Sequence, residues 1–219
     1  MLIHSTQMRS RLLILAAALW TVISTSQTPS HNGNSHHFES GLGFFYDIPN
    51  DLAIISSKQF DQAIREKALQ QTPTGQETKS INCSQMLVAA ENRDESKIIQ
   101  VVASPQGCAI GIVTDKNLAQ LGQYSSGEIA KRFGATHPEY ATFMAGKHLF
   151  WEMRSETTPN PPRNPNHEIA LLITYTPTAV IEFLISARTP QDLAALGATV
   201  LKFDDGAETQ LLSADAFGK

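Results

Sequence analysis

Three side chains in the last third of the chain, His148, Glu152 and Glu182, are of types that carry out acid–base chemistry, and the cation Arg154 lies among them. His148, Glu152 and Arg154 alternate with the apolar residues Leu149, Trp151 and Met153 in GKHLFWEMR, and Glu182 interrupts the apolar segment AVIEFLISA. If both segments are strands, these side chains point away from the apolar faces and could line one shared surface. Two carboxyl groups in different environments can divide the roles of acid and base, whereas a charged solvent-facing surface produces the same pattern. A hydrolytic site around His148, Glu152 and Glu182 is therefore kept as an alternative.

The sequence lacks the motifs of the common enzyme classes. GQYSSG is the nearest approach to a nucleophile elbow, but its serines do not have the G-x-S-x-G spacing. Ser125 or Ser126 is better explained as the N-cap of a helix with Ile129 and Phe133 on one face. There is no H-E-x-x-H, no phosphate loop and no G-x-G-x-x-G after a strand. We therefore assign no catalytic residue, no cofactor-binding residue and no cofactor.

Three histidines, His31, His36 and His37, lie close together near the N-terminus. Imidazole is a good ligand for Cu²⁺ and Zn²⁺, but a flexible segment holds no fixed coordination geometry. A solvated polar tail explains the same residues. No metal site is assigned, and weak metal binding through these histidines is kept as a second alternative.

The two cysteines, Cys83 and Cys108, flank a predicted β-hairpin. Strands are expected near 84–90 and 97–104, with the polar turn ENRDES between them. Folding about this turn brings Cys83 close to Cys108, and a bridge there would stabilise the domain by about 3 kcal/mol. An even number of cysteines in an exported chain favours this disulfide over two buried free thiols. The spacing does not match a paired-cysteine zinc site.

Residues 1–26 have the composition of a secretory signal. Arg9 and Arg11 precede an apolar run, and small residues follow it at the spacing that a signal peptidase prefers. Cleavage is predicted just before Gln27. The run has about 12 residues, whereas a membrane-spanning helix needs about 20. An uncleaved anchor is the alternative, and no stable membrane span is expected once the signal is removed.

Composition narrows the range of partners. The chain has 219 residues, of which 42% are hydrophobic and 17% charged, and this composition favours one folded core over a disordered chain. Loss of the signal lowers Lys+Arg from 17 to 15 against 21 Asp+Glu, so the mature chain would carry a net charge of −6. No long basic cluster remains, and nucleic acid is therefore not an expected partner.

The remaining chain divides into a lead-in, one domain and a tail. We predict a flexible lead-in at 27–40, a single α+β domain at 41–204 and a frayed tail at 205–219. Two short strands near 43–48 and 52–55, joined by a Pro-Asn-Asp turn, open the domain. A serine-capped helix is predicted to follow on SSKQFDQAIREKALQQ.

The domain closes with two strands and a helix. EIALLITY and AVIEFLISA are predicted strands, and the second has one wholly apolar face. Glu182 and Ser186 lie on its other face, which is expected to be only partly buried. Thr189 is the predicted cap of a helix that begins at Pro190. One stripe of this helix would contain Leu193, Leu196, Val200 and Phe203.

Five aromatic residues are candidates for either the core or a ligand pocket. We assign most of them to the core and keep a pocket or partner patch as the alternative. They are Phe44, Phe45, Tyr46, Phe150 and Trp151.

Two segments resemble the PsbP-like fold, which an extrinsic photosystem subunit, the bacterial envelope protein DcrB and a Ran-binding import factor share. FFYDIPNDLAII resembles the opening aromatic-x-x-Pro hairpin, and AVIEFLISARTPQDLAALGATVLKF resembles the closing strand–helix unit. The resemblance spans most of residues 43–204 and departs from the family at Leu52, where members often have tryptophan nearby. It implies a central antiparallel sheet packed by helices, an α/β/α sandwich. The family has no shared catalytic residues to transfer.

These observations predict a secreted or periplasmic protein that is not an enzyme. The expected role is that of an accessory or binding protein of the cell envelope, with an unknown protein or small-molecule partner. The second sheet face and the proline-rich loop at 155–167 are the surfaces on which we expect docking.

Signal cleavage can be tested directly by mass spectrometry of the protein isolated from its host. We expect a mature N-terminus at Gln27, because the apolar run is too short to remain as a membrane anchor. Recovery of the uncleaved chain from the cytosol would contradict this prediction.

Overall fold

A computed structural model describes residues 36–55, 62, 82–108, 111–158, 167–197, 201–213 and 217. The expected signal, His31, the helix predicted after residue 56 and most of the proline-rich loop lie outside these residues. The described strands are β1 (His36–Glu39), β2 (Phe44–Ile48), β3 (Ala53–Ile55), β4 (Gln85–Glu91), β5 (Lys97–Pro105), β6 (Glu139–Ala145), β7 (His148–Glu156), β8 (Glu168–Tyr175), β9 (Ala179–Ala187), β10 (Leu201–Phe203) and β11 (Glu208–Thr209). The described helices are α1 (Asp115–Phe133) and α2 (Pro190–Leu196).

The strands form two antiparallel sheets. The large sheet has seven described strands in the order β3-β4-β5-β9-β8-β7-β6, and the small sheet has the order β1-β2-β10-β11. Every described pair of neighbouring strands is antiparallel. The predicted α+β class with a central antiparallel sheet is confirmed.

The large sheet is covered on both faces, and β9 shows how one strand supplies both cores. Phe183 and Ile185 pack with the small sheet and α2, whereas Val180 and Leu184 pack with α1. The expectation that the second face of β9 is only partly buried is wrong for most of its residues. Ser186 on that face is 2% exposed, because the adjoining part of the sheet carries a second hydrophobic core.

The N-cap of helix α1 lies eleven residues before Ser125, the earlier of the two predicted caps. Its N-cap is Thr114, whose backbone N–H donates to the Asn117 side-chain oxygen at 2.7 Å. Ser125 and Ser126 are fully buried in the middle of the helix, so neither is a cap. The first part of this helix was not predicted from the sequence, because Gly122 and several polar residues interrupt its apolar stripe. Gly122 is nonetheless required, since a Cβ there would lie 2.1 Å from the Trp151 ring.

Helix α2 starts as predicted but ends earlier. The Asp192 backbone N–H donates to the Thr189 hydroxyl at 3.1 Å, which confirms Thr189 as the cap. The helix ends at Leu196, and the chain returns as strand β10, so the predicted long helical stripe is wrong. The break falls at Gly197, where a Cβ would lie 2.3 Å from the Leu211 side chain.

The C-terminal segment is folded where the structure describes it. Strand β10 pairs with β11 through a hairpin, and the Leu211 backbone N–H donates to the Gly197 carbonyl at 3.0 Å. Leu211 also packs against the first core. The expectation of a frayed tail from residue 205 is therefore wrong for these residues.

The N-terminal strands lie where the sequence predicts them but do not pair with each other. β2 pairs with β1 and β10 in the small sheet, whereas β3 pairs with β4 in the large sheet. A turn closed by the Leu52 N–H on the Pro49 carbonyl, at 3.0 Å, carries the chain from one sheet to the other. The lead-in is also shorter than expected, since residues 36–39 form β1.

The contact of α1 with the sheet predicts opposite effects for two glycines of one helix. Gly122→Ala should lower the free energy of unfolding by about 2–3 kcal/mol, because the new methyl group collides with Trp151. Gly127→Ala should raise it by about 1 kcal/mol, since nothing lies within 4 Å of its Cβ position and alanine favours helix. Urea unfolding of both variants measures the difference, and equal effects would contradict the packing.

Candidate functional site

The predicted disulfide is present at the open end of the β4–β5 hairpin. Cys83 and Cys108 are bonded with their Cα atoms 5.7 Å apart. The register pairs Gln85 with Ala103, so the hairpin itself brings the two cysteines together, as the turn position predicted. Beside the bridge, the hydroxyl oxygens of Ser84 and Ser104 lie 2.7 Å apart. The bridge therefore fixes the end of two strands in the middle of the large sheet.

The candidate acid–base residues do not form one surface. Glu152 aligns with Leu172 on β8, and Leu172 aligns with Phe183, so Glu152 shares a face with the first core. Glu182 aligns with Ile173, whose side chain belongs to the second core. Because side chains of aligned residues point to the same face, the two carboxylates lie on opposite faces of the sheet. The proposed hydrolytic set is separated by the sheet itself.

Glu152 is held in a buried network. Its side chain is fully buried, and its two oxygens accept hydrogen bonds from the Arg154 Nε at 2.8 Å and the Leu212 backbone N–H at 3.0 Å. Burial raises the pKa of Glu152, and the Leu212 and Arg154 hydrogen bonds oppose that rise. The carboxylate thus fastens the C-terminal segment to β7 instead of facing a substrate.

Arg154 is a cation that lies near several carboxyl groups. Its guanidinium lies 5.5 Å from the centre of the Phe217 ring. Two further glutamates, Glu156 and Glu168, are cross-strand partners beside it. Burial and the Glu156 charge raise the pKa of Glu168, while Arg154 lowers it. Arg154 therefore offsets the charge of more than one carboxylate.

Glu182 lies in an apolar setting on the other face. It is flanked across the sheet by Val102 and Ile173, and none of the ion pairs among the described residues includes it. Burial raises its pKa to about 7. The sequence correctly identified Glu182 as the break in an apolar strand, but it wrongly joined this residue to Glu152.

Glu91 is an acid that sequence reasoning missed. It ends β4, and one of its carboxyl oxygens is buried without a hydrogen-bond partner. Burial and the nearby Glu95 raise the pKa of Glu91 to about 7. The sequence feature that could have identified Glu91 is its position at the end of the apolar run MLVAA, just before a polar turn.

His148 joins the two sheets. Its ring stacks on Phe203 of β10, with centroids 3.8 Å apart, and its Nε2 lies 3.1 Å from a carboxylate oxygen of Asp205. Lys147 lies 3.1 Å from the same oxygen. The Ala207 backbone N–H and Lys147 hold the pKa of Asp205 below its usual value. His148 is thus engaged in packing and an ion pair, and it does not face Glu182.

The N-terminal histidines are part of a strand. His37 lies 2.7 Å from Asp47, and Lys202 donates to the same carboxylate at 2.9 Å. Hydrogen bonds from His37 and Lys202 lower the pKa of Asp47. His36 and His37 are neighbours on β1, so their side chains point to opposite faces. Within the described residues, no group of three potential ligands could hold a metal ion.

Aromatic residues form core and a few exposed contacts. Of the five candidates, four are at most 2% exposed, in agreement with a core role: Phe44, Tyr46, Phe150 and Trp151. Large apolar side chains that remain exposed are Ile54 (45%), Ile112 (62%), Tyr140 (43%) and Met144 (58%). No helix in the described part of the chain is long and apolar enough to cross a membrane.

Comparison with known proteins shows a similarity in structure. No family model matches the sequence, and no curated protein matches it. Among solved structures, the chain is similar to the solution structure of cyanobacterial PsbP (CyanoP) from Synechocystis sp. PCC 6803. The identity is 10%, the match covers 80% of this chain and 92% of that chain, and the TM-score is 0.47. That protein has the fold to which the two sequence segments are similar.

The raised pKa of Glu182 predicts a pH-dependent stability. Its carboxyl group titrates near 4.5 when unfolded and near 7 when folded, so the folded state loses stability as the pH rises from about 4.5 through 7. Glu182→Gln should match the wild type near pH 4 and exceed its free energy of unfolding by about 3 kcal/mol near pH 8. Urea unfolding across this range measures the difference.

An exposed glutamate provides the control for that experiment. Glu208→Gln removes the same charge from an exposed position of β11 and should leave the pH profile of stability nearly unchanged. A Glu182→Gln profile parallel to that of the wild type would contradict the apolar setting of Glu182.

Proposed function

We propose that this protein is an exported, non-catalytic accessory or binding protein of the cell envelope. The observation that carries the proposal is the separation of the candidate acid–base residues. Glu152 and Glu182 lie on opposite faces of the large sheet, so no single substrate can contact both. The chemistry that the sequence left open therefore has no shared site around these residues.

The contacts that the candidate polar groups make within the protein support the same function. Both oxygens of Glu152 accept hydrogen bonds from the protein. His148 is stacked on Phe203 and paired with Asp205. Groups held in this way stabilise the fold, and they would have to break these contacts before they could take or give a proton to a substrate.

The disulfide supports an oxidising location. Bridges of this kind persist in secreted and periplasmic proteins and are rare in the cytosol. The basic and apolar residues near the N-terminus are typical of an export signal, which supports the same location. The proposed location is therefore the periplasm or the extracellular space, with cleavage before Gln27.

The exposed apolar side chains support binding to another protein. The second sheet face is not the docking surface that the sequence suggested, because much of it lies beneath α1. Ile112, immediately before α1, is 62% exposed, and Ile54 on the edge strand β3 is 45% exposed. Apolar atoms supply more than half of the area of a typical protein interface, so these side chains are suited to contact another protein.

The proposal predicts a specific partner and no turnover. The chain, tagged and recovered from the envelope fraction after mild cross-linking, should retain one protein in constant ratio. Glu182→Gln should retain it equally, because no acid–base step is involved. Ile112→Asp should reduce retention, because it places a charge at an exposed apolar contact. Gln120→Asp adds the same single charge at an exposed position of α1 and is the matched control.

Enzyme activity is the outcome that would overturn the proposal. Purified chain is assayed against ester, peptide, phosphate and glycoside substrates, together with His148→Ala and Glu182→Gln. Turnover by the wild type that either variant abolishes, while the variant stays folded, would establish a catalytic protein. Absence of any constant partner would equally contradict an accessory role.

A further inference from the structure

Within the described residues, strand β6 is an open edge of the large sheet with exposed apolar side chains. It is the last strand of the large sheet, and among the described strands only β7 pairs with it. Tyr140 is 43% exposed and Met144 is 58% exposed. Both side chains are on the face of α1, where Tyr140 stacks on Trp151 with ring centroids 5.4 Å apart. Long edges with apolar side chains are ready to pair with another strand.

The hairpin turn determines which backbone groups of β6 are free to pair. Ala145 and His148 flank a two-residue turn, with Gly146 at a φ of 59°. In such a hairpin the closing pair exchanges both backbone hydrogen bonds, and the pattern alternates along the strands. Tyr140, Thr142 and Met144 therefore direct their N–H and C=O groups away from β7.

The sequence of β6 is complementary to itself in one antiparallel register. With Thr142 opposite the Thr142 of a second copy, each Tyr140 faces the partner's Met144. Aromatic and thioether groups attract each other at such contacts. In this register the three outward-facing residues form hydrogen-bonded pairs. Shifts of an odd number of residues would pair outward-facing groups with groups already bonded to β7.

Charge favours the same register. Glu139 is the one charged residue in EYATFMA, so no like charges meet in the pairing. It would lie diagonal to the partner's Lys147, whose side chain is 74% exposed although it also contacts Asp205. The two-fold axis repeats this attraction at the other end. Pro138 and the Gly146 turn limit the paired segment to the seven residues of β6.

We propose that two copies of this chain associate through β6, with Thr142 on the two-fold axis, and form one continuous antiparallel sheet. The interface is smaller than the roughly 1,200–2,000 Å² of stable complexes, so the dimer should be weak, with a Kd on the order of 10⁻⁴ M. The proposal stands on the edge strand and does not depend on the proposed function.

Two matched double variants test the register by sedimentation velocity over about 5–500 µM, a range that brackets the expected Kd. The purified protein is used with whatever N-terminus its expression host leaves, and mass spectrometry identifies that N-terminus. Tyr140→Lys with Met144→Lys brings lysines face to face and should leave only monomer. Tyr140→Glu with Met144→Lys brings opposite charges face to face and should retain dimer at low salt. Both variants lose the same apolar contacts, and thermal unfolding verifies their folds.

The wild type should show a concentration-dependent dimer. A wild-type chain that stays monomeric at the highest concentration would overturn the proposal. The alternative occupant of the β6 edge would then be a strand of another protein. Persistence of dimer in the lysine pair would also overturn it, as would dissociation of both double variants to the same extent, because the Tyr140–Met144 register would then be wrong.

Discussion

The fold depends on a sheet whose central strands are buried from both sides. In β8 and β9 successive side chains alternate between a core formed with the small sheet and α2 and a core formed with α1. Because the period of a strand is two, a slip of one residue would exchange the two cores completely. The hydrophobic effect therefore fixes the register of the sheet as well as its stability. It also leaves little room for polar groups on either face.

The two central glutamates show the two ways in which such a sheet tolerates an acid. Glu152 keeps its place through an arginine and a backbone N–H that satisfy its oxygens. Glu182 has apolar neighbours across the sheet, and its pKa rises to about 7, so it becomes neutral more easily. The first arrangement uses the C-terminal segment as part of the core network. The second makes stability depend on pH.

The features that were predicted correctly from the sequence are those that short local patterns determine. Strands β4, β5, β8 and β9, the Thr189 cap and the disulfide were all predicted, because alternation, turn residues and capping act over a few positions. Helix α1 was not fully predicted, because Gly122 interrupts its apolar stripe for a reason that lies on another element, the Trp151 ring. The end of α2 at Gly197 has the same kind of cause, the close approach of Leu211. The assignment of Glu152 and Glu182 to one surface was wrong. Strand order and register determine which side chains of different strands share a face, and the sequence of a single strand specifies neither.

The small sheet joins segments that lie far apart in the sequence. Strand β2, from the first quarter, pairs with β10, from the last tenth, and both contribute side chains to the first core. A chain that emerges from a ribosome or a membrane channel with its N-terminus first cannot complete this core until its last strands have appeared. Contacts of such long sequence separation make folding slow. The pairing of β2 with β10 thus delays completion of the first core until β10 has been synthesised.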